Sequence, residues 1–228
     1  MNPAVLSPNF RRLFPEGVAA AELRVPGDSS LLLPEEAACL GRAVRKRVQE
    51  FAAGRLCARR ALAEFGIEDF ALRVREDRRP EWPPSIVGSI THTAGLCAAV
   101  AGDAARFAGL GVDSETVGDV KPDIVPRICA PAETAWLDSL PAAERARAAT
   151  LIFAAKESFY KCQYSIVEEF LSFHDVLIEV PDWGRGQGSF EVHATRPIAI
   201  AEHATFPIPG RYRFHEGFAS AGMALPAG

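Results

Sequence analysis

Two carboxylates, Asp113 and Glu115, stand two residues apart in GLGVDSE, inside an otherwise apolar run. A strand repeats every two residues, so both project to one face, roughly 7 Å apart along the backbone. Carboxylates that close repel each other unless a cation or basic group lies between them. Oxygen donors with few protein contributors suit Mg²⁺, which keeps waters and takes phosphate oxygens for its remaining positions. A solvated acidic strand end would show the same pattern, so the pair alone decides nothing. FAAKESFYKC is the second such stretch. On a helix, Phe153, Glu157 and Lys161 share a stripe at i, i+4 spacing, although Glu four residues before Lys is also an ordinary stabilising pair. Lys156 falls on the flank of that stripe. SITHT adds His92 between Thr91 and Thr93, and RKRVQEFAAGRLCARR sets Arg47 and Arg55 on roughly one side, with Arg59 a turn beyond. Guanidinium forks match phosphate oxygens; a solvated helix face would carry the same residues.

These side chains need elements to hold them. After a lead punctuated by Pro and Gly, LLLPEEAACLGRAVRKRVQEFAAGRLCARRALAEFG reads as helical. Pro34 suits a first turn, and Glu35 and Glu36 sit where the helix dipole favours negative charge. Val44, Val48, Phe51 and Leu62 recur at helical spacing, and Gly66 ends the run. Gly54 is expected to weaken or bend the middle. IVGSITHT, GLCAAVAG and RFAGLGVDSE read as strands. PAETAWLDSL and ERARAATLIFAAKESFYKC read as helices, LSFHDVLIEV and SFEVHAT as strands, and RYRFHEGFASAGMAL as a hairpin turning at His215-Glu216-Gly217. Helices and antiparallel hairpins in both halves imply an α+β chain of two comparable lobes, residues 1–104 and 105–228, dividing near Gly102 to Arg106.

At 228 residues the chain can bury one substantial core or two small lobes sharing an interface. A net charge of −4 argues against general nucleic-acid binding. No uninterrupted apolar run is long enough to cross a bilayer, and MNPAVLSPNFRRLF lacks the pattern of a signal peptide. The five cysteines are scattered and never spaced as CxxC, which fits reduced, mostly buried thiols in the cytoplasm.

In order, EFAAGRLCARRAL, WPPSIVGSITHT, GLGVDSE and FAAKESFYKC resemble the successive motifs of the Sfp-type phosphopantetheinyl transferases, in the branch containing the enterobactin-synthase component EntD. The resemblance runs from about Leu13 to Phe173. It implies a pseudo-dimer of two similar α+β lobes with coenzyme A bound between them. It also implies transfer of 4'-phosphopantetheine from coenzyme A to a serine of an apo acyl, peptidyl or aryl carrier protein, releasing adenosine 3',5'-bisphosphate. By resemblance, Asp113, Glu115 and Glu157 gather around Mg²⁺. Lys161 contacts the phosphates and stabilises or protonates the leaving group, and Glu157, after its metal role, accepts the serine proton directly or through water. Arg47 and Arg55 match basic residues at the adenosine end, and His92 the histidine of the 3'-phosphate. Arg75, Arg78, Ser89, Thr91 and Lys156 complete the expected coenzyme A contacts.

Two departures stand out. REDRRPEWPP replaces a Gly-Lys-rich segment, and Ser114 replaces the usual apolar residue or alanine between the acids. Pointing to the opposite face, Ser114 is expected to affect metal binding little. The carrier is expected over Lys121 to Trp136 and the flank of the FAAKESFYKC helix. A cytoplasmic monomer serving siderophore, polyketide or nonribosomal-peptide carriers is the resulting expectation. The alternatives are a Mg²⁺-dependent phosphodiesterase or nucleotide hydrolase, and a non-catalytic relative that binds coenzyme A or a carrier.

Overall fold

A computed structural model describes residues 4–24 and 26–228. Its first sheet is antiparallel, in the order β1-β2-β4-β3. The chain enters through β1 (Val5–Leu6), a short helix α1 (Pro8–Arg11) and β2 (Val18–Leu23). Helices α2 (Pro34–Ala38) and α3 (Arg45–Leu62) follow, then the hairpin β3 (Ile86–Thr93) and β4 (Leu96–Asp103). The helical segment does break in two, but not at Gly54. The break falls at residues 39–44, where Gly41 takes a φ of 53°. Gly54 lies buried within α3, and a Cβ there would stand 3.2 Å from Ile90 Cγ2. Its bare backbone lets α3 approach β3.

The second sheet follows the order β5-β9-β8-β7-β6. It begins with β5 (Phe107–Thr116), and then come α4 (Val125–Ile128), α5 (Pro131–Ser139) and α6 (Ala142–Val167). The strands β6 (Val176–Glu179), β7 (Gln187–Ala194), β8 (Ile208–His215) and β9 (Phe218–Pro226) close the chain. Glu216 and Gly217 turn the last hairpin with positive φ, as the sequence predicts. The strand expected over LSFHDVLIEV is shorter, because Phe173–Asp175 winds into one 3₁₀ turn before β6.

Three apolar clusters explain the two-lobed α+β architecture. One packs α3 on the first sheet through Leu56, Cys57 and Ala61 against Cys97, Ala99 and Ala101. Another packs α6 on the second sheet. The third joins the lobes: Phe10, Phe14, Ala98 and Val100 meet Leu110 and Val112 of β5. Alternate residues of β4 thus serve two cores, which is why GLCAAVAG shows no polar alternation. Burying Phe10 completely contributes about 1.5–3 kcal/mol. Among the described residues, no helix is long and apolar enough to cross a membrane.

Candidate active site

The two lobes meet where β3 faces β5, and side chains bridge the two strands at every second residue. Val112 N–H donates to Ser89 Oγ at 3.1 Å, and Ser114 N–H donates to Thr91 Oγ1 at 3.1 Å. Thr91 O–H donates in turn to Asp113 Oδ1 at 3.0 Å, and Thr93 reaches Glu115 Oε2 at 3.5 Å. The alternation of Ser89, Thr91 and Thr93 along β3 therefore fixes both the height of β5 and the rotamer of Asp113.

From the other side, α6 lies directly on β5. A Cβ at Gly111 would come within 1.8 Å of the Ser158 carbonyl oxygen, so only glycine allows this approach. It brings Lys161 Nζ to 2.6 Å from Asp113 Oδ1 and 3.3 Å from the Val112 carbonyl. Asp113 is 4 % exposed. Its Oδ1 has two donors, while its Oδ2 is buried with no hydrogen-bond partner, which is costly unless something positive fills the place.

The neighbouring acids carry the same signature. Glu115 is pushed up to about 7, first by burial and then by Asp113 and Glu157, against Lys161 and Thr93. Glu157 is raised by burial and Asp113, with Lys161 opposing. One lysine does not offset three partly buried carboxylates. This donor set fits a hard divalent cation: Asp113 Oδ2, Glu115 and Glu157 would hold it. Their oxygens stand further apart than a closed metal shell. Among the described residues only Glu179, Glu191 and His193 bring three donor atoms within 4.8 Å of one another. That group lies on β6 and β7, at the edge of the sheet away from β5, with His193 between the two carboxylates.

Two cavities flank the acidic centre. The larger, about 890 Å³, runs between the lobes from Arg75, Arg78 and Arg79 past Trp82 and Ser89 to Lys161. Tyr160, Tyr164 and Phe170 form its aromatic wall. The smaller, about 460 Å³, is lined by Glu115, Ile124, Arg127, Phe153 and Phe173 among others.

Several expected site residues gather here and others do not. Arg75, Arg78, Ser89 and Lys161 line the larger cavity. Arg47 and His92 lie outside its walls and share one acid, Glu50, at 4.0 and 3.6 Å. Burial and the nearby Lys161 and Arg47 lower the pKa of His92, against Glu50. Arg55 is turned inward and only 6 % exposed. Its Nε donates to the Leu72 carbonyl at 2.8 Å, its Nη2 points to the Arg73 carbonyl at 3.5 Å, and it stacks on Phe51. Burial lowers its pKa to about 10. Nη1 and the second hydrogen of Nη2 remain for a phosphate, and the bonds to the carbonyls of Leu72 and Arg73 shape the loop leading to Arg75.

Two expectations are corrected. Lys156 does not contact coenzyme A through its ammonium, nor is it solvated. It is buried, with Nζ donating to Glu133 Oε2 (2.6 Å), the Ile128 carbonyl (2.9 Å) and the Phe173 carbonyl (2.7 Å). An ammonium has three donors, and all are taken. Thr91 likewise has no hydroxyl proton free for a coenzyme A phosphate, because that proton goes to Asp113 while the oxygen accepts from the Ser114 amide. Sequence reasoning missed Gly111, Thr93, Glu50 and Arg79. The alternation of SITHT was a signal for Thr93; nothing marked Arg79 among the charges of REDRRPEWPP.

Residues 35–102 match the 4'-phosphopantetheinyl transferase N-terminal domain, and residues 109–213 match the 4'-phosphopantetheinyl transferase superfamily. The chain is 40 % identical over 202 residues to 4'-phosphopantetheinyl transferase Svp of Streptomyces mobaraensis, covering 87 % of this chain and 80 % of that one. It is 30 % identical over 218 residues to 4'-phosphopantetheinyl transferase Npt of Nocardia iowensis, covering 93 % and 97 %. Enterobactin synthase component D of Escherichia coli K12 is 35 % identical over 136 residues, 59 % of this chain and 63 % of that one. The chain belongs to the 4'-phosphopantetheinyl transferase superfamily and is a transferase of that class, as its motifs implied.

Proposed function

We propose that the protein transfers 4'-phosphopantetheine from coenzyme A to a serine hydroxyl of an apo carrier protein, with Mg²⁺, releasing adenosine 3',5'-bisphosphate. The observation that carries this is the unpartnered Asp113 Oδ2 between two raised carboxylates and a lysine, set beside an interlobe cavity with arginines at one end. Arg75 and Arg78 suit the phosphates of coenzyme A there. Arg47 and His92, released from Glu50, take the 3'-phosphate. Ser89 offers a hydroxyl along the same wall. A lobe division at residues 104 and 105 and a monomeric state belong to this reading, because both halves of the site come from one chain.

In the reaction a bond forms between the serine oxygen and the pantetheine-side phosphorus, and the bond from that phosphorus to the bridging oxygen breaks. Bound at Asp113, Glu115 and Glu157, Mg²⁺ would supply charge neutralisation to the diphosphate. Lys161, already held toward this point by Asp113, donates a hydrogen bond to the departing oxygen. Glu157, raised by burial and by Asp113 against Lys161, takes the serine proton directly or through water; holding the cation is its first role and this its second. The smaller cavity, on the Glu115 side, opens toward Ile124 and Arg127. Ile124, Arg127 and Ile128 of its lining belong to the segment expected to meet the carrier, and Arg127 suits an acidic carrier helix. Siderophore, polyketide and nonribosomal-peptide carriers are the proposed class.

The test is incubation with coenzyme A, Mg²⁺ and a panel of apo carriers, followed by intact-mass measurement. The expected result is a carrier heavier by one phosphopantetheine group. Loss of coenzyme A without modification of any carrier would instead identify a hydrolase, and binding with no turnover a non-catalytic relative.

A further inference from the structure

Ser114 sits between the two acids but points to the other side of β5, into a closed polar chain. Its Oγ lies 2.8 Å from Ser220 Oγ on β9, directly opposite in register, and both residues are fully buried. Ser220 Oγ lies 2.9 Å from His215 Nε2 at the end of β8. His215 Nδ1 faces Arg24 Nη2 at 3.5 Å. Arg24 follows β2 of the N-terminal lobe and also pairs with Glu216 at 3.0 Å and Glu22 at 3.3 Å. The chain therefore runs from a guanidinium of one lobe to the back of the strand that carries Asp113 and Glu115.

Its direction follows from donor chemistry. A guanidinium only donates, so Nδ1 must accept and Nε2 must carry the proton. Nε2–H then donates to Ser220, whose own proton is left free for Ser114. The imidazole is held in place by Phe10 and Phe218. It faces Arg24, Glu22, Glu216 and Arg213, and burial followed by Arg24 lowers its pKa, in keeping with a neutral ring.

We propose that Arg24, His215 and Ser220 act as positioning residues. Through Ser114 they fix the β5 backbone from behind, so that Asp113 and Glu115 hold a divalent cation at their shared face. Ser114 then has a purpose that an alanine could not serve, contrary to the expectation from its direction that it affects metal binding little. This rests on the cation site proposed above.

The experiment titrates Mn²⁺, a paramagnetic stand-in for Mg²⁺, into the coenzyme A complex by electron paramagnetic resonance, with Asp113→Ala as the non-binding control. Ser220→Ala and His215→Phe are expected to weaken Mn²⁺ about tenfold, the scale of lost outer-sphere support in metal sites. His215→Gln, which keeps a donor near Nε2, is expected to stay within about twofold of wild type, with the KM for coenzyme A unchanged in all three. A role in stability alone would lower Tm without this rescue. Should His215→Phe fail to fold, Ser114→Ala carries the test, since it removes one hydroxyl and is expected to show the same tenfold loss. Wild-type Mn²⁺ binding retained in Ser114→Ala and Ser220→Ala overturns the positioning chain alone. Absence of Mn²⁺ binding in the wild type overturns it together with the cation site.

Discussion

Glu115 combines burial with two like-charged neighbours, and its pKa near 7 has a consequence for stability. The ordinary value for such a carboxyl is about 4.3. Between that pH and about 7, the folded protein keeps its proton while the unfolded chain has lost it, so this group's contribution favours folding at low pH. It fades as pH rises through 7, where the folded carboxyl must ionise beside Asp113. A divalent cation reverses the sign, because it binds the ionised form. Addition of Mg²⁺ is therefore expected to raise Tm more at about pH 8 than at about pH 5. Glu115→Gln should flatten that difference in a thermal-shift measurement; an equal Mg²⁺ effect at both pH values in the wild type would contradict it.

Lys156 and Glu157 are adjacent in sequence yet have opposite fates, and a second prediction separates them. Lys156 and Glu133 form a pair with side chains only about 1 % exposed. Glu133 also caps the backbone at Ala130 and Ile178. Lys156→Met leaves that carboxylate without its cation and should destabilise the fold by about 3–5 kcal/mol. Urea unfolding measures this, while the KM for coenzyme A of the folded fraction should stay within about twofold of wild type. A stable variant with a much higher KM would return Lys156 to the substrate. Helical spacing in FAAKESFYKC sets Lys161 on the Glu157 stripe and Lys156 off it, but does not show that Lys156 is buried, since its partner lies 23 residues away on α5.

At the level of elements, the site depends on how closely two helices approach two strands. Gly54 and Gly111 look alike in sequence but face different neighbours. The atom nearest a Cβ at 54 is the methyl end of Ile90, at 3.2 Å; at 111 it is a backbone carbonyl oxygen at 1.8 Å. Gly54→Ala is expected to change stability by less than about 1 kcal/mol, with helix propensity offsetting a small shift of Ile90. Gly111→Ala must push α6 off β5, costing about 1–3 kcal/mol or more and moving Glu157 and Lys161 away from Asp113. Paired denaturation curves with turnover assays would show this contrast, and equal tolerance at both positions would refute the close packing.

Much of this was legible beforehand. β3 and β5 showed their limits because short runs of strand-forming residues lie between clear turns, with polar alternation in β3 only. β2 was not legible, because VAAAEL is nearly uniform and buried on both faces. The direction in which Arg55 points was not legible either. Its partners are carbonyls at 72 and 73, contributed by a loop whose path no periodicity predicts.

For the whole molecule, the question is what holds two lobes at the spacing their ligands require. The β3–β5 seam and the apolar cluster around Phe10 and Val112 fix one boundary. Arg79 adds a clasp beside the larger cavity. From the N-terminal lobe it donates to the Tyr164 carbonyl at 3.1 Å, pairs with Glu168 just beyond α6, and lies over the Tyr164 ring. Asp77 holds it in that direction. Because Glu168 is largely exposed, the ion pair itself is weak and screened by salt; the bond to the carbonyl and the stacking carry more. Arg79→Ala should therefore raise the KM for coenzyme A by about threefold to tenfold with kcat little changed. Glu168→Gln should raise it less, and only at low ionic strength. The double variant should resemble Arg79→Ala, because both substitutions act through one contact. Steady-state kinetics at two salt concentrations would decide. Additive losses would mean that Arg79 works on the ligand alone and that the clasp has no part in setting the lobe spacing.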